Sequence, residues 1–125
     1  MAIRILIVDD HEIVRLGVRT VLSGNPKWEV CGEAVDGEHA IRLFMKLTPD
    51  VVILDLSLPG MNGFEVAKEM RRIAPFTKII FFSMHDIPVI TSIVGADAFV
   101  SKTSRIEEIT ATLERVLHRC AAARA

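Results

Sequence analysis

The sequence predicts an α/β domain: a single doubly wound parallel sheet with helices on both faces. Three observations carry that reading. Short, β-branched apolar runs alternate with amphipathic stretches about five times along 125 residues. The runs are apolar nearly throughout, as strands buried on both faces are. Most of them end abruptly on a polar residue, at the sheet edge where open α/β folds bind ligands.

Taken in order, Ile3 to Val8 is the first strand and stops at Asp9-Asp10. Ile13, Val14, Gly17, Val18 and Val21 then share one helical face, and Ser23-Gly24-Asn25-Pro26 ends that helix. Trp28 to Ala34 reads as a second strand, followed by a turn at Asp36-Gly37. From about Glu38 to Leu47 a helix gathers Ala40, Leu43, Phe44 and Leu47. Val51-Val52-Ile53-Leu54 is the strongest buried-strand signal and terminates at Asp55. Leu58 to Gly63 is a loop rich in turn residues. Phe64 to Ala74 follows as a helix with Val66, Ala67, Met70 and Ile73 inward. Lys78 to Phe82 is a fourth strand ending at Ser83, and Ala98-Phe99-Val100 a fifth ending near Lys102. Thr103 or Ser104 is a candidate cap for a last helix, whose stripe is Ile106, Ile109, Leu113, Val116 and Leu117. Residues 1–120 form one domain, and the Ala-rich 121–125 is a fraying end or the start of a linker.

Half the residues are hydrophobic and a quarter charged, a globular composition. The net charge of −1 gives no footprint of nucleic-acid binding, so any action on DNA would need another segment. Cys31 and Cys120 lack CxxC spacing and read as reduced thiols. The opening apolar run is too short for a signal peptide or membrane span, and no run of about 18 apolar residues follows. The expectation is a soluble cytoplasmic protein without membrane contact.

The informative feature is where the polar residues fall. Asp9, Asp10, Asp55, Ser83 and Lys102 are far apart in sequence, yet this fold would gather them in one crevice. Crowded carboxylates repel one another, and a hard divalent cation relieves that. Mg²⁺ prefers oxygen ligands and needs only one or two carboxylates plus phosphate oxygens. Zn²⁺ fits poorly, because no His or Cys pair joins the set. A metal ion, the Lys102 ammonium and the Ser83 hydroxyl could together hold the oxygens of a transferring phosphoryl group. Asp55 is then the natural acceptor, since carboxylates act as nucleophiles toward phosphorus. Singly, each residue has a plainer use: Asp10 could cap the first helix, Asp55 could be a turn residue, and Lys102 could be surface solvation.

The ordered set Ile5-Leu6-Ile7-Val8-Asp9-Asp10-His11, Asp50 to Leu56, Leu58-Pro59-Gly60-Met61-Asn62-Gly63, Phe82-Ser83-Met84-His85, Gly95-Ala96 and Phe99-Val100-Ser101-Lys102 resembles the response-regulator receiver family of two-component systems. Asp-Asp-His and Ser-Met-His look like its NarL/LuxR-type branch, whose members usually join a receiver to a helix-turn-helix DNA-binding domain. The resemblance implies a flavodoxin-like sheet of order 2-1-3-4-5. It implies phosphorylation of Asp55 by a sensor histidine kinase, with Asp10 binding Mg²⁺ directly, Asp9 through water, and the Ser57 backbone carbonyl as a further ligand. Lys102 would contact the phosphoryl group, Ser83 would swing toward it, and Phe99 would be the aromatic switch. Ser57 and His85 would tune the lifetime of the phosphoryl group. Self-association is also implied, with the exposed sides of the first and last helices as candidate faces. As a receiver the chain would be no enzyme beyond its own phosphoryl transfer and autodephosphorylation.

One departure stands out. The stretch 86–94 is about three residues short for the family, close to one helical turn, and contains Pro88. A short, displaced or irregular helix is expected there. Four other readings stay open. One is a stand-alone phosphorelay shuttle rather than a receiver cut from a longer regulator; the NarL/LuxR-like motifs favour the latter. Another is an interaction module independent of phosphorylation. A third is a Mg²⁺-dependent Asp-nucleophile phosphohydrolase, disfavoured because Ser57 stands where a second Asp belongs. The last is a flavodoxin-like cofactor binder, disfavoured because Asp9-Asp10 replaces a phosphate-cradling loop.

Overall fold

The computed structural model describes residues 2–84 and 95–124, with side chains through 118. Five strands form one parallel sheet: β1 (Ile3–Val8), β2 (Trp28–Ala34), β3 (Val51–Leu54), β4 (Lys78–Ser83) and β5 (Ala98–Ser101). Their order is β2-β1-β3-β4-β5. Four helices lie among the described residues: α1 (Glu12–Leu22), α2 (Gly37–Leu47), α3 (Gly63–Ile73) and α4 (Glu108–Arg124). This is the flavodoxin-like arrangement.

Side chains alternate across a strand, so each strand feeds two cores. Leu6, Val8, Val52, Leu54, Ile79 and Phe81 face one way and pack with Ala40 and Phe44 of α2 and Val66, Ala67 and Met70 of α3. Ile5, Ile7, Val51, Ile53, Ile80, Phe82 and Val100 face the other way, onto Val18 and Leu22 of α1 and Ile109 and Leu113 of α4. The near-absence of polar residues in β1, β3 and β4 follows from this double burial.

Several expectations are adjusted. The N-cap of α1 is His11, not Asp10, and its side chain makes no capping hydrogen bond. Ile13, read as core-facing, is 75% exposed, because α1 packs through Val18 and Leu22 instead. Neither Thr103 nor Ser104 caps α4. That helix begins at Glu108 after turns in which Glu108 N–H donates to Arg105 and Ile109 N–H to Ile106. Thr103 bonds Ser101 instead. The backbone of α4 is helical through Arg124. The irregular helix expected over 86–94, with Pro88, lies outside the described residues, as does His85.

Cys31 is an extra residue in β2. Val30 pairs with Ile5 and Gly32 with Leu6, so Cys31 bulges between them, and its free thiol lies 3.5 Å from the Ile5 carbonyl oxygen. No helix among the described residues is long and apolar enough to cross a membrane.

Gly63 lets the loop after β3 fold back onto the strand end. Its N–H donates to the Leu56 carbonyl at 2.9 Å. A Cβ at this position would stand 2.6 Å from Leu56 Cα and closer still to the carbonyl oxygen of Asp55. Both obstacles are backbone and cannot rotate away. Gly63→Ala is therefore expected to lower stability by about 1–3 kcal/mol, the usual range for overpacking. A urea unfolding midpoint equal to wild type would show that the β3–α3 turn is not held this tightly.

Candidate functional site

The sheet register delivers the acidic residues side by side. Val8 pairs with Leu54, so the next residues, Asp9 and Asp55, emerge together. The ladder carries on into them: Asp55 N–H donates to Val8 at 2.9 Å and Asp9 N–H to Ala34 at 3.0 Å. Alternation sets their direction. Asp9 continues the row Ile5-Ile7, Asp55 the row Val51-Ile53, and Lys102 follows Val100, all on the α1/α4 side. Lys102 is held in line by its own N–H, which donates to the Ser83 carbonyl at 2.8 Å.

The result is a compact charged cluster. Lys102 Nζ lies 2.7 Å from Oδ2 of Asp9 and 3.1 Å from Oδ2 of Asp55. Asp9 and Asp55 are buried, and the Lys102 side chain is nearly so. The ammonium also lies 5.7 Å from the centre of the Phe82 ring, at the outer range of a cation–π contact. Donor atoms of Asp9, Asp10, His11 and Asp55 all lie within 4.8 Å of one another. His11 Nδ1 is 3.1 Å from Oδ1 of Asp9 and 3.1 Å from Oδ1 of Asp10.

Asp55 is the most perturbed member. Burial pushes its carboxyl above the ordinary carboxylate value, and the nearby Asp9 charge pushes the same way. A hydrogen bond from the Ser57 backbone N–H to Oδ1, at 3.1 Å, and the Lys102 charge work against that rise without cancelling it. Asp9 Oδ2 accepts no well-directed hydrogen bond among the described residues; its contact with Lys102 is an ion pair without hydrogen-bond geometry. Among the described residues, one ammonium, paired with Asp9 and Asp55, thus stands in a cluster of three carboxylates. The unfilled acceptor capacity and the all-carboxylate buried donors fit a hard divalent cation, with Asp9, Asp10 and Asp55 able to hold it.

Ser83 and Phe99 fall on the opposite side of the sheet rows. Ser83 follows Ile79 and Phe81 and is fully buried. Phe99 pairs in register with Phe81 and packs, half-buried, against the α2/α3 core. The Ser57 side chain is exposed at the mouth of the cluster.

Two supporting residues are not apparent from sequence. Arg15, read as lying off the apolar face of α1, donates from Nη1 to the backbone carbonyl of Asp9 at 2.8 Å while its Nε bonds Glu33. His11 turns away from the helix it begins and toward Asp9 and Asp10. The Asp-Asp-His run was the one available signal for the second; nothing local marks the first.

A buried carboxylate cluster framed by a lysine, at the carboxyl edge of a 2-1-3-4-5 sheet, defines the receiver class of signalling domains. The sequence matches the response regulator receiver domain family over residues 5–114, and the chain belongs to that family. It is 42% identical over 112 residues to the transcriptional regulatory protein LiaR of Bacillus subtilis (strain 168), covering 86% of this chain and 52% of that protein. Against the nitrate/nitrite response regulator protein NarL of Escherichia coli (strain K12) it is 38% identical over 121 residues, covering 94% of this chain and 54% of that one. A two-component response regulator of the LuxR family from Aurantimonas sp. SI85-9A1 superposes with a TM-score of 0.88 at 36% identity, covering 94% of this chain and 86% of that chain. RcsB from Salmonella enterica serovar Typhimurium, bound to promoter P1flhDC in the presence of the phosphomimetic BeF3−, superposes at 0.86 with 29% identity, covering 94% and 61%. The likeness is thus to the NarL/LuxR branch. The chain spans about half the length of the LiaR and NarL relatives.

The raised Asp55 carboxyl has a consequence for stability. The native state holds this proton more tightly than the unfolded chain, whose carboxyl titrates near 4. The stabilisation is full below that value and is lost as pH rises through the higher native one. Asp55→Asn removes the buried charge and leaves Lys102 paired with Asp9. In metal-free buffer the variant should unfold at higher urea than wild type at pH 7, with the gap shrinking toward pH 4. A variant less stable at pH 7 would contradict the account.

Proposed function

We propose that this chain is the phospho-accepting receiver of a transcriptional response regulator, taking a phosphoryl group from a sensor histidine kinase onto Asp55. The observation that carries the proposal is the placement of the Asp55 carboxylate, buried beside Lys102 at 3.1 Å and within 4.8 Å of the Asp9 and Asp10 donors. In the transfer, a carboxylate oxygen of Asp55 attacks phosphorus of a phosphohistidine. The P–N bond breaks, its electron pair stays on the imidazole, and an acyl phosphate forms on Asp55. Charge in such transfers spreads over the phosphoryl oxygens, so catalysis is mostly positioning and charge stabilisation. Lys102, held at the site by its backbone bond to Ser83, supplies one cation to those oxygens. Asp10, Asp55 and the Ser57 carbonyl would hold Mg²⁺ directly and Asp9 would hold it through water; the ion would supply further positive charge to a cluster of three carboxylates.

The acyl phosphate adds charge beside Lys102. The Ser83 hydroxyl moves toward it, and Phe99, in register beside Phe81, repacks inward. Ser57 and His85 set how long the phosphoryl group survives. A local charge change thereby shifts a two-state equilibrium, and a mostly complete shift needs several kcal/mol of differential stabilisation. The output is DNA binding by a further domain, as the promoter-bound RcsB structure and the regulator relatives suggest by analogy. Such a regulator works in the cytoplasm, and self-association of receivers is one way to couple the switch to output.

The test is intact mass after incubation with a small-molecule phosphodonor, with and without Mg²⁺, beside Asp55→Asn. One Mg²⁺-dependent phosphoryl adduct, absent from the variant, is expected. An adduct of equal yield on Asp55→Asn would sink the assignment.

A further inference from the structure

His11 is a poor choice for its local position. Ser, Thr, Asp and Asn are the residues that begin helices well, because their side chains accept from the first free N–H groups. His11 is the N-cap of α1, with extended backbone (φ −98°, ψ 115°), yet its ring caps nothing. The ring turns the other way, and Nδ1 comes to 3.1 Å from a carboxylate oxygen of Asp9 and 3.1 Å from one of Asp10. Only the Asp9 contact has hydrogen-bond geometry. A single Nδ1–H therefore serves one carboxylate well and the other poorly.

A metal ion would serve both. Ions with bonds of about 2.1 Å place adjacent octahedral ligands about 3.0 Å apart. The spacing of Nδ1 from Oδ1 of Asp10, the carboxylate read as a direct ligand, matches that value. Donor atoms of Asp9 and Asp55 lie within 4.8 Å of this pair, and Oδ2 of Asp9 faces Lys102 on the far side. The ring itself is 61% exposed, so an ion can reach it from solvent. Magnesium gains little from such a nitrogen, since it prefers oxygen donors. First-row transition ions accept imidazole readily and bind nitrogen-containing sites more tightly along the series from Mn²⁺ toward Cu²⁺.

Resting on the reading of this cluster as the divalent-cation site of a receiver, we infer that His11 is a specificity-determining metal ligand. Its Nδ1 adds a nitrogen donor to the carboxylates, so that borderline first-row divalent ions compete with Mg²⁺ for the phosphorylation site. Through this residue the receiver's response would depend on which divalent ion is abundant.

The experiment compares wild type with His11→Ser, which keeps a good N-cap and removes the imidazole. Binding of Mg²⁺ and of Co²⁺ is measured by calorimetry at one fixed pH of about 8, and the Co²⁺-loaded proteins are examined by proton NMR. Expected are an unchanged Mg²⁺ affinity, a Co²⁺ affinity weakened about tenfold or more, and a paramagnetically shifted exchangeable imidazole signal lost in the variant. Equal affinities of the two proteins for Co²⁺, or equal loss for both ions, would overturn the role of His11. Failure of wild type to bind Mg²⁺ at all would overturn the underlying site reading as well.

Discussion

Everything at the working edge of this domain follows from one electrostatic constraint. Two adjacent strands of a parallel sheet end in register on Asp9 and Asp55, with Asp10 one residue on. Carboxylates so close, partly out of water, cannot all remain charged without compensation. Lys102 supplies one positive charge, shared between Asp9 and Asp55. The deficit that remains is expressed in the raised Asp55 carboxyl and in the unfilled acceptor of Asp9. A chain built only for stability would not hold this arrangement. It makes sense as a demand for cationic and phosphoryl ligands.

The rest of the fold can be read as what keeps the cluster from relaxing. Burying β3 on both faces fixes the direction of Asp55, since a slip by one residue would turn it onto the α2/α3 side. Gly63 closes the loop beyond Asp55 at backbone contact distance. Arg15 ties the Asp9 carbonyl to α1 and, with Arg19, ties α1 to β2 through Glu33. On the far side of the sheet end, Asp97 accepts from Ile79 N–H at 2.8 Å and pairs with Arg71, which also bonds the Gly95 carbonyl. The entry to β5, and so the placement of Phe99 and Lys102, is thereby tied to α3.

Much of this was legible because it depends on local rules. The apolar runs of β1, β3 and β4 and the polar residues that end them place Asp9, Asp55, Ser83 and Lys102 at one edge by topology alone. That placement predicts one shared crevice; in the sheet, period-2 alternation turns Asp9, Asp55 and Lys102 to one side and Ser83 and Phe99 to the other. The features that were not legible depend on through-space geometry. Ile13 sits on the apolar stripe of α1 yet is exposed, because the helix packs through Val18 and Leu22. Asp10 looked like a cap, but its carboxylate belongs to the cluster and His11 takes the cap position. Arg15 resembles any surface arginine until the Asp9 carbonyl is brought beside it. The start of α4 at Glu108 was displaced by the turns at Arg105 and Ile106, which Thr103 and Ser104 do not foreshadow.

The central claim is that the sheet holds Asp55 in an environment that resists its charge until a cation arrives. Carbon-detected NMR titration of the Asp55 side-chain carboxyl, in metal-free buffer and in saturating Mg²⁺, measures this directly. The account predicts a midpoint above the ordinary aspartate value without metal and a marked fall when Mg²⁺ is added. A midpoint at or below the ordinary value in metal-free buffer, indifferent to Mg²⁺, would contradict it.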